Sequence, residues 1–250
     1  MDNINICYTI NDNKKYIDLT LDSISSIKTF FRSKKYKLNF FVISEELLEL
    51  PDYITNIISP YKDIPLMHQR IYISELLKVN KVIFLDSDTY ATSCISKLWE
   101  TNMQGKIIGM VPHYHIETLG KCVQLFNIEE LVKGYSSLFN EPYFNAGVLV
   151  IDCKKWLKNN LTGTCKEFLD IIKNTQHYKN EEFAYNVVLR KHIFVLDELW
   201  NYFPRSDFKR TKILHYYGIY NNDKPKQPDP DPKSKIFNNW VLSEKCPRTD

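Results

Sequence analysis

The sequence predicts an α/β fold with a mostly parallel central sheet covered by helices on both faces. Three observations lead there. Short apolar runs of strand length recur along the chain. Segments whose apolar residues fall three and four apart lie between them. Each strand-and-helix pair spans roughly thirty residues, the length of a parallel crossover unit.

The elements follow in order. Asn3 to Ile10 reads as a strand that runs into the polar turn Asn11-Asp12-Asn13. From Tyr16 to Phe31, the residues Ile17, Leu21, Ile24, Ile27 and Phe31 form one apolar helical stripe. Leu38 to Ser44 is a buried-strand pattern, Glu45 to Leu50 a short helical turn stopped by Pro51, and Ile54 to Ser59 a further strand. Arg70 to Val79 predicts a helix, and Lys81 to Leu85 a strand that ends on Asp86-Ser87-Asp88-Thr89. Strands are expected at Lys106 to Val111, Gly147 to Ile151 and His192 to Leu196, and a short one ending on His215. Helices are expected at Lys154 to Asn159, Thr164 to Ile172 and Phe183 to Leu189.

Size and charge narrow the classes. A chain of 250 residues buries a full core without staples and excludes a large multidomain machine. A balance of 33 basic against 30 acidic residues argues against a dedicated nucleic-acid binder, and no basic stripe with interleaved aromatics is visible. The six cysteines form no C-x-x-C pair and several sit in apolar runs, so they read as reduced core residues. The N-terminus lacks a basic leader with a long apolar stretch, and no run reaches spanning length. The expectation from this is a cytoplasmic protein. Residues 1–220 read as one domain without stem or anchor, and 221–250 as a proline-rich loop and tail packed on it. In the tail, Lys233, Lys235, Phe237, Trp240 and Lys245 mix basic and aromatic character as peripheral membrane segments do, but a packed segment is the preferred reading. Oligomeric state is not legible.

Three segments carry chemistry. Asp86 and Asp88 sit two apart on a turn at the carboxyl end of a strand, where ligands bind in open α/β sheets. Two carboxylates so placed suit Mg²⁺ or Mn²⁺ with a diphosphate; a solvated turn is the plain alternative. Phe144-Asn145-Ala146-Gly147 opens an apolar strand with small residues that let a ligand approach and an amide that can hold hydroxyls, or is simply a strand entry. His215 is either a structural histidine or the group that completes a site with the two carboxylates.

Taken together and in this order, these segments resemble glycosyltransferase family 8, the retaining enzymes that include glycogenin and bacterial lipopolysaccharide galactosyltransferases. The resemblance covers about Asn5 to Gly218. It implies a GT-A-type nucleotide-sugar fold and transfer of a hexose, glucose or galactose, from a UDP-sugar to a glycan, protein or lipid-linked acceptor. ICYTINDN is similar to the uridine-contacting segment, with Thr9, Asn11 and Asn13 facing base and ribose. Arg70 matches an arginine that reaches the donor. LDSDT, with Asp86, Ser87 and Asp88, is similar to the D-x-D motif, and LHYYG to H-x-x-G. Asp86, Asp88 and His215 are thereby the implied Mn²⁺ (or Mg²⁺) ligands, and Gly218 part of the donor site. Asn145 and Ala146 would face the donor sugar.

Two departures stand out. Where the family carries Asp-Gln, this chain has Glu181-Glu182. Glu181 keeps a carboxylate for sugar hydroxyls, while Glu182 replaces an amide near the reacting face, which opens a nucleophilic role to it. The family's Lys-Pro-Trp after H-x-x-G is represented by Lys224-Pro225, two residues late and without the tryptophan, so Lys224 is the expected diphosphate contact. The alternatives are a nucleotidyltransferase, against which the loop Thr9 to Lys15 lacks glycine, and a non-catalytic UDP-sugar-binding protein.

Overall fold

The structure, a computed structural model, describes residues 1–62, 64–172, 181–203 and 211–216. In chain order it contains β1 (Asp2–Thr9), α1 (Lys14–Phe30), β2 (Tyr36–Ser44), β3 (Ile54–Ile58), α2 (Ile73–Leu77), β4 (Lys81–Leu85), β5 (Thr89–Ala91), α3 (Ser96–Trp99) and β6 (Ile108–Pro112). These are followed by α4 (Leu119–Phe126), α5 (Glu129–Val132), β7 (Phe144–Asp152), α6 (Cys153–Lys158), α7 (Leu161–Ile172), α8 (Glu181–Val188), β8 (Ile193–Val195) and β9 (Ile213–His215). 3-10 segments lie at Leu66–Tyr72 before α2, at Lys133–Leu138, at Arg190–His192 and at Glu198–Asn201 before β9.

The main sheet has the order β3-β2-β1-β4-β7-β6-β8. β3, β2, β1 and β4 run parallel, as do β6 and β8. β7 alone reverses, pairing antiparallel with β4 on one side and β6 on the other. The mostly parallel α/β reading therefore holds, with one reversed strand inserted at its centre. A second, two-stranded sheet joins β5 to β9 antiparallel beyond the carboxyl end of β4.

Burial on both faces explains why the central strands read as continuous apolar runs. Along β4, Val82 and Phe84 enter one core, and Ile83 and Leu85 the other. The first core is closed by α2, α6, α7 and α8 through Leu77, Trp156, Phe168 and Phe183. The second is closed by α1 and α3 through Ile24, Ile27 and Leu98. In β7 the alternation slips: Ala146 and Leu149 face the first core, while Val148 and Val150 face the second. The ladder to β6 shifts register over the same stretch, between Gly109 and Val111. A bulge there re-aims the Asn145-Ala146-Gly147 backbone.

Some expected elements are corrected. Glu45 to Leu50 is not helical. A six-residue turn cannot nucleate before Pro51, and its backbone finds side-chain partners instead, with the Leu48 amide donating to Asn56 Oδ1 at 2.7 Å. The helix expected at Arg70 to Val79 begins earlier as the 3-10 turn and stops at Leu77, where Lys78 adopts a left-handed φ of 53°. Cys7, Cys122, Cys153 and Cys165 are buried and Cys94 is partly exposed, none of them in a disulfide among the described residues. The tail with Cys246 lies outside the described residues.

The two-sided core gives a direct expectation. Ile83→Ala empties a fully buried position on the central strand and should destabilise by about 2–5 kcal/mol. Leu125→Ala, at an exposed position on α4, should stay within about 0.5 kcal/mol. Guanidinium unfolding of both variants checks the contrast.

Candidate functional site

The site grows from the ends of β4 and β7. Because the two strands are antiparallel, the carboxyl end of one meets the amino end of the other, and the Asp86 amide donates to the Gly147 carbonyl at 2.8 Å. The chain then turns through Asp86-Ser87-Asp88, closed by Thr89 Oγ1 donating to the Asp86 carbonyl at 2.8 Å. β5 follows at once and pairs with β9 so that Thr89 lies opposite His215. The Tyr216 amide donates to the Asp88 carbonyl at 3.0 Å. A histidine far along the chain is thus set beside the two carboxylates.

His215 Nε2 lies 3.2 Å from Asp88 Oδ1 and 3.6 Å from Asp86 Oδ2. One ligand atom from each of the three residues falls within 4.8 Å of the others. Two carboxylate oxygens and an imidazole nitrogen suit a divalent cation, and the hydrogen bonds around the ring suit it further. The Gly147 backbone N–H donates to Asn145 Oδ1 at 2.9 Å, which identifies that atom as the amide oxygen. Asn201 must therefore face it with its NH₂, at 2.7 Å. This turns Asn201 Oδ1 toward His215 Nδ1 at 2.8 Å. An oxygen only accepts, so Nδ1 carries the proton and Nε2 is directed at Asp86 and Asp88 as a ligand would be.

Gly147 has a second duty. A Cβ built on it would lie 2.1 Å from His215 Cε1 and 2.5 Å from Nδ1. The glycine expected to admit a ligand instead admits the histidine ring.

Arg70 reaches the same place from the 3-10 turn before α2. Its Nη1 donates to Asp86 Oδ1 at 2.8 Å and to the Ala146 carbonyl at 3.3 Å, and its Nη2 pairs with Glu181. Glu181 and Glu182 open α8, where the helix dipole favours acidic residues. Glu182 Oε2 accepts from the Ala146 amide at 2.8 Å and from Asn145 Nδ2 at 3.1 Å. Asn186, one turn on, locks α8 to β7 through both the amide and the carbonyl of Phe144, at 2.7 and 2.8 Å.

The electrostatics follow from burial and neighbours. Burial raises Asp86 despite Arg70 and His215. Burial also acts to raise Asp88, but His215 outweighs it and holds that carboxyl below its usual range. Burial acts to lower His215, and Asp88 and Asp86 outweigh it and raise the imidazole. Burial pushes Glu181 up to about 7 against Arg70, and Glu182 up to about 7 against the Ala146 N–H.

Arg70, Asp86, Asp88, Asn145, Ala146, Glu181, Glu182 and His215 are therefore brought together, with Ser87 half-buried between the two aspartates. Thr9 ends β1, and its buried Oγ1 has no protein partner among the described residues. Asn11 and Asn13 are exposed on the turn beyond it, where Asn13 Oδ1 caps α1 by accepting from the Lys15 amide at 2.9 Å. Gly218 and Lys224 lie outside the described residues. Sequence reasoning missed Asn201, since a lone asparagine in ELWNYF has no pattern that links it to His215. It also missed His113 and Phe203, which with Tyr114, Asn145 and Asn201 line a pocket beside His215. The Tyr114 and Phe203 rings stack there with centroids 5.4 Å apart.

Two outcomes are expected. Gly147→Ala must displace the His215 ring and should weaken binding of a divalent cation at this cluster by about 10–100-fold, the usual scale for disturbed ligand support. Gly134→Ala, whose Cβ meets nothing within 4 Å, should leave binding unchanged, and titration calorimetry reads both. Separately, burial, helped by His115 and His215, lowers His113 from 6.5 to about 4. Between those values the unfolded chain binds a proton at His113 that the folded chain does not. Stability should therefore fall as pH drops through that window. His113→Gln should flatten this slope in unfolding titrations.

Comparison with known proteins places the arrangement. The sequence profile of glycosyl transferase family 8 matches residues 8–225. Among curated relatives, the probable galacturonosyltransferase-like 6 of Arabidopsis thaliana is 32% identical over 140 residues, 55% of this chain and 40% of its own length. The chain spans about half the length, or less, of curated relatives it matches. Among solved structures, the galactosyltransferase LgtC in complex with donor and acceptor sugar analogs superposes with a TM-score of 0.66 at 17% identity, over 88% of this chain and 90% of that one. Mouse xyloside xylosyltransferase 1 does so with a TM-score of 0.62 at 12% identity, over 88% of this chain and all of that one. At such identities these likenesses show the fold, which is of the GT-A type. The plant relatives overturn the cytoplasmic expectation. It rested on the missing leader and spanning stretch, and a chain matching only part of longer plant enzymes gives no such information. That no described helix is long and apolar enough to cross a membrane stands as that observation alone. With a profile match across most of its length, a GT-A-type fold and a carboxylate–histidine cluster at the end of β4, the chain belongs to glycosyltransferase family 8.

Proposed function

We propose that the chain transfers a hexose from a UDP-sugar to an acceptor hydroxyl with retention of configuration, using Mn²⁺ or Mg²⁺ held by Asp86, Asp88 and His215. The observation that carries this reading is the convergence of two carboxylates and an imidazole of fixed tautomer from β4, β5 and β9. When bound there, the cation supplies neutralisation of the charge on the departing diphosphate.

The remaining work falls to side chains. Arg70 holds Asp86 and Glu181 in place, so its positive charge acts on the carboxylates at the leaving-group end of the site. Asn145, with its oxygen occupied by Gly147 and Asn201, presents its NH₂ edge toward Glu182 and the sugar. Glu181 is proposed to steady the sugar side of the pocket, and the backbone at Ala146 to border it. Thr9 and Asn11 are proposed to meet uracil and ribose, with Asn13 shaping their turn, and Ser87, Gly218 and Lys224 to meet the diphosphate. The acceptor is proposed to be a glycan-type hydroxyl compound entering beside Tyr114 and Phe203.

Same-face attack is the preferred retaining route. The departing diphosphate oxygen is then the base nearest the incoming hydroxyl. Glu182 supports this choice, because its Oε2 already accepts two hydrogen bonds from the strand it abuts.

Release of UDP from UDP-glucose or UDP-galactose, with Mn²⁺ and after chelation, tests the reading. Activity should vanish with the metal, and Asp88→Asn should lower kcat/KM by about 100-fold or more. Metal-independent turnover, or no UDP binding at all, would refute it. Glu182→Gln should keep transfer activity. A loss of roughly 10⁴-fold or more, the scale of a removed nucleophile, would establish the covalent route instead.

A further inference from the structure

Four carboxylates, those of Asp86, Asp88, Glu181 and Glu182, cluster at the end of β4, with Glu181 and Glu182 buried. Arg70 pairs with Asp86 and Glu181, and its charge also acts on Glu182. Both of its terminal nitrogens are engaged, Nη1 by Asp86 and the Ala146 carbonyl and Nη2 by Glu181. Glu182 stands directly behind Asn145, with 3.1 Å between Asn145 Nδ2 and its Oε2, and Asn145 borders the open pocket beside His215.

We infer that this pocket selects an uncharged hexose and rejects a hexuronic acid donor, and that Glu182 sets the bias. The inference rests on the UDP-sugar reading above and names the class of sugar. A hexuronate differs from a hexose by a carboxylate in place of the C6 hydroxymethyl group. Every atom of a pyranose lies within a few ångström of its anomeric carbon, and that carbon must sit beside the group that receives the diphosphate. With a cation on Asp86 and Asp88 and Arg70 paired to Asp86 and Glu181, Glu182 forms no ion pair among the described residues, and a uronate carboxylate would be a second anion near that buried group. Like charges out of water repel strongly, and such repulsion is an effective way to exclude a ligand. A hydroxymethyl group meets no such penalty, because it can donate to a carboxylate and accept from an amide. The selectivity runs opposite to the sugar in the names of the plant relatives.

The test uses the full chain with Mn²⁺ at about pH 8, where both glutamates are largely ionised. UDP-glucose, UDP-galactose, UDP-glucuronate and UDP-galacturonate are compared by kcat/KM for UDP release and by calorimetric affinity, with UDP alone as reference. At least one neutral donor should exceed both uronates by about 100-fold or more in kcat/KM, and Glu182→Gln should narrow that ratio about tenfold, as removal of one close like charge would. Circular dichroism checks that the variant folds, and the wild-type ratio decides the matter without it. A uronate bound and processed as well as, or better than, both neutral sugars overturns the inference and leaves the UDP-sugar reading standing. Failure of UDP and all four donors to bind overturns that reading and the inference with it.

Discussion

The antiparallel ladder between β4 and β7, from Lys81↔Asp152 to Leu85↔Val148, is the constraint on which the rest of the site depends. It makes the carboxyl end of one buried strand coincide with the amino end of another. The first ends in Asp86-Ser87-Asp88, and the second begins with Phe144-Asn145-Ala146-Gly147. In a purely parallel sheet these two segments would lie at opposite ends of the molecule whenever both flank their strands in this order. The reversal of β7 is what lets Arg70 touch Asp86 and the Ala146 carbonyl at once, and what brings Glu182 against the Ala146 amide.

From that junction a hydrogen-bond relay spreads outward with no freedom of sense. It begins at a backbone N–H, which can only donate, and passes through Asn145 and Asn201 to His215. The ring lies against Gly147, where a Cβ would collide with it. Orientation of this kind is a matter of preorganisation rather than stability. Buried charged clusters are a poor source of folding energy, and the two apolar cores on either side of the sheet supply it instead. The scaffold holds a charge cluster that would not assemble by its own attraction.

Much of the fold was legible because burial leaves a pattern in sequence. β4 is bounded as its apolar run predicts, and α1, α6 and α7 fall within a few residues of their expected positions. The three chemical segments were equally legible, since a D-x-D turn, an N-A-G strand entry and a strand-terminal histidine are all local. What failed was also physical. Glu45 to Leu50 has helical composition, yet Asn56, from the neighbouring strand, takes up its backbone. The direction of β7 is invisible, because a strand buried on both faces has the same composition whichever way it runs. Short α4 and α5, whose packing on the first core depends on residues from distant strands, carry too few turns for a periodic signal.

By itself, the sequence determined the α/β class, the strand ends on which chemistry sits, and which residue types stand there, because hydrophobic periodicity and local motifs are written in consecutive residues. Only the tertiary structure decided what those residues do to one another. The pairing of Thr89 with His215, the tautomer set through Asn201, the role of Gly147 as room for an imidazole, and the engagement of Arg70 by Glu181 and Asp86 all join residues far apart in the chain. No local pattern encodes them, since each arises from the geometry of strands meeting at a common end.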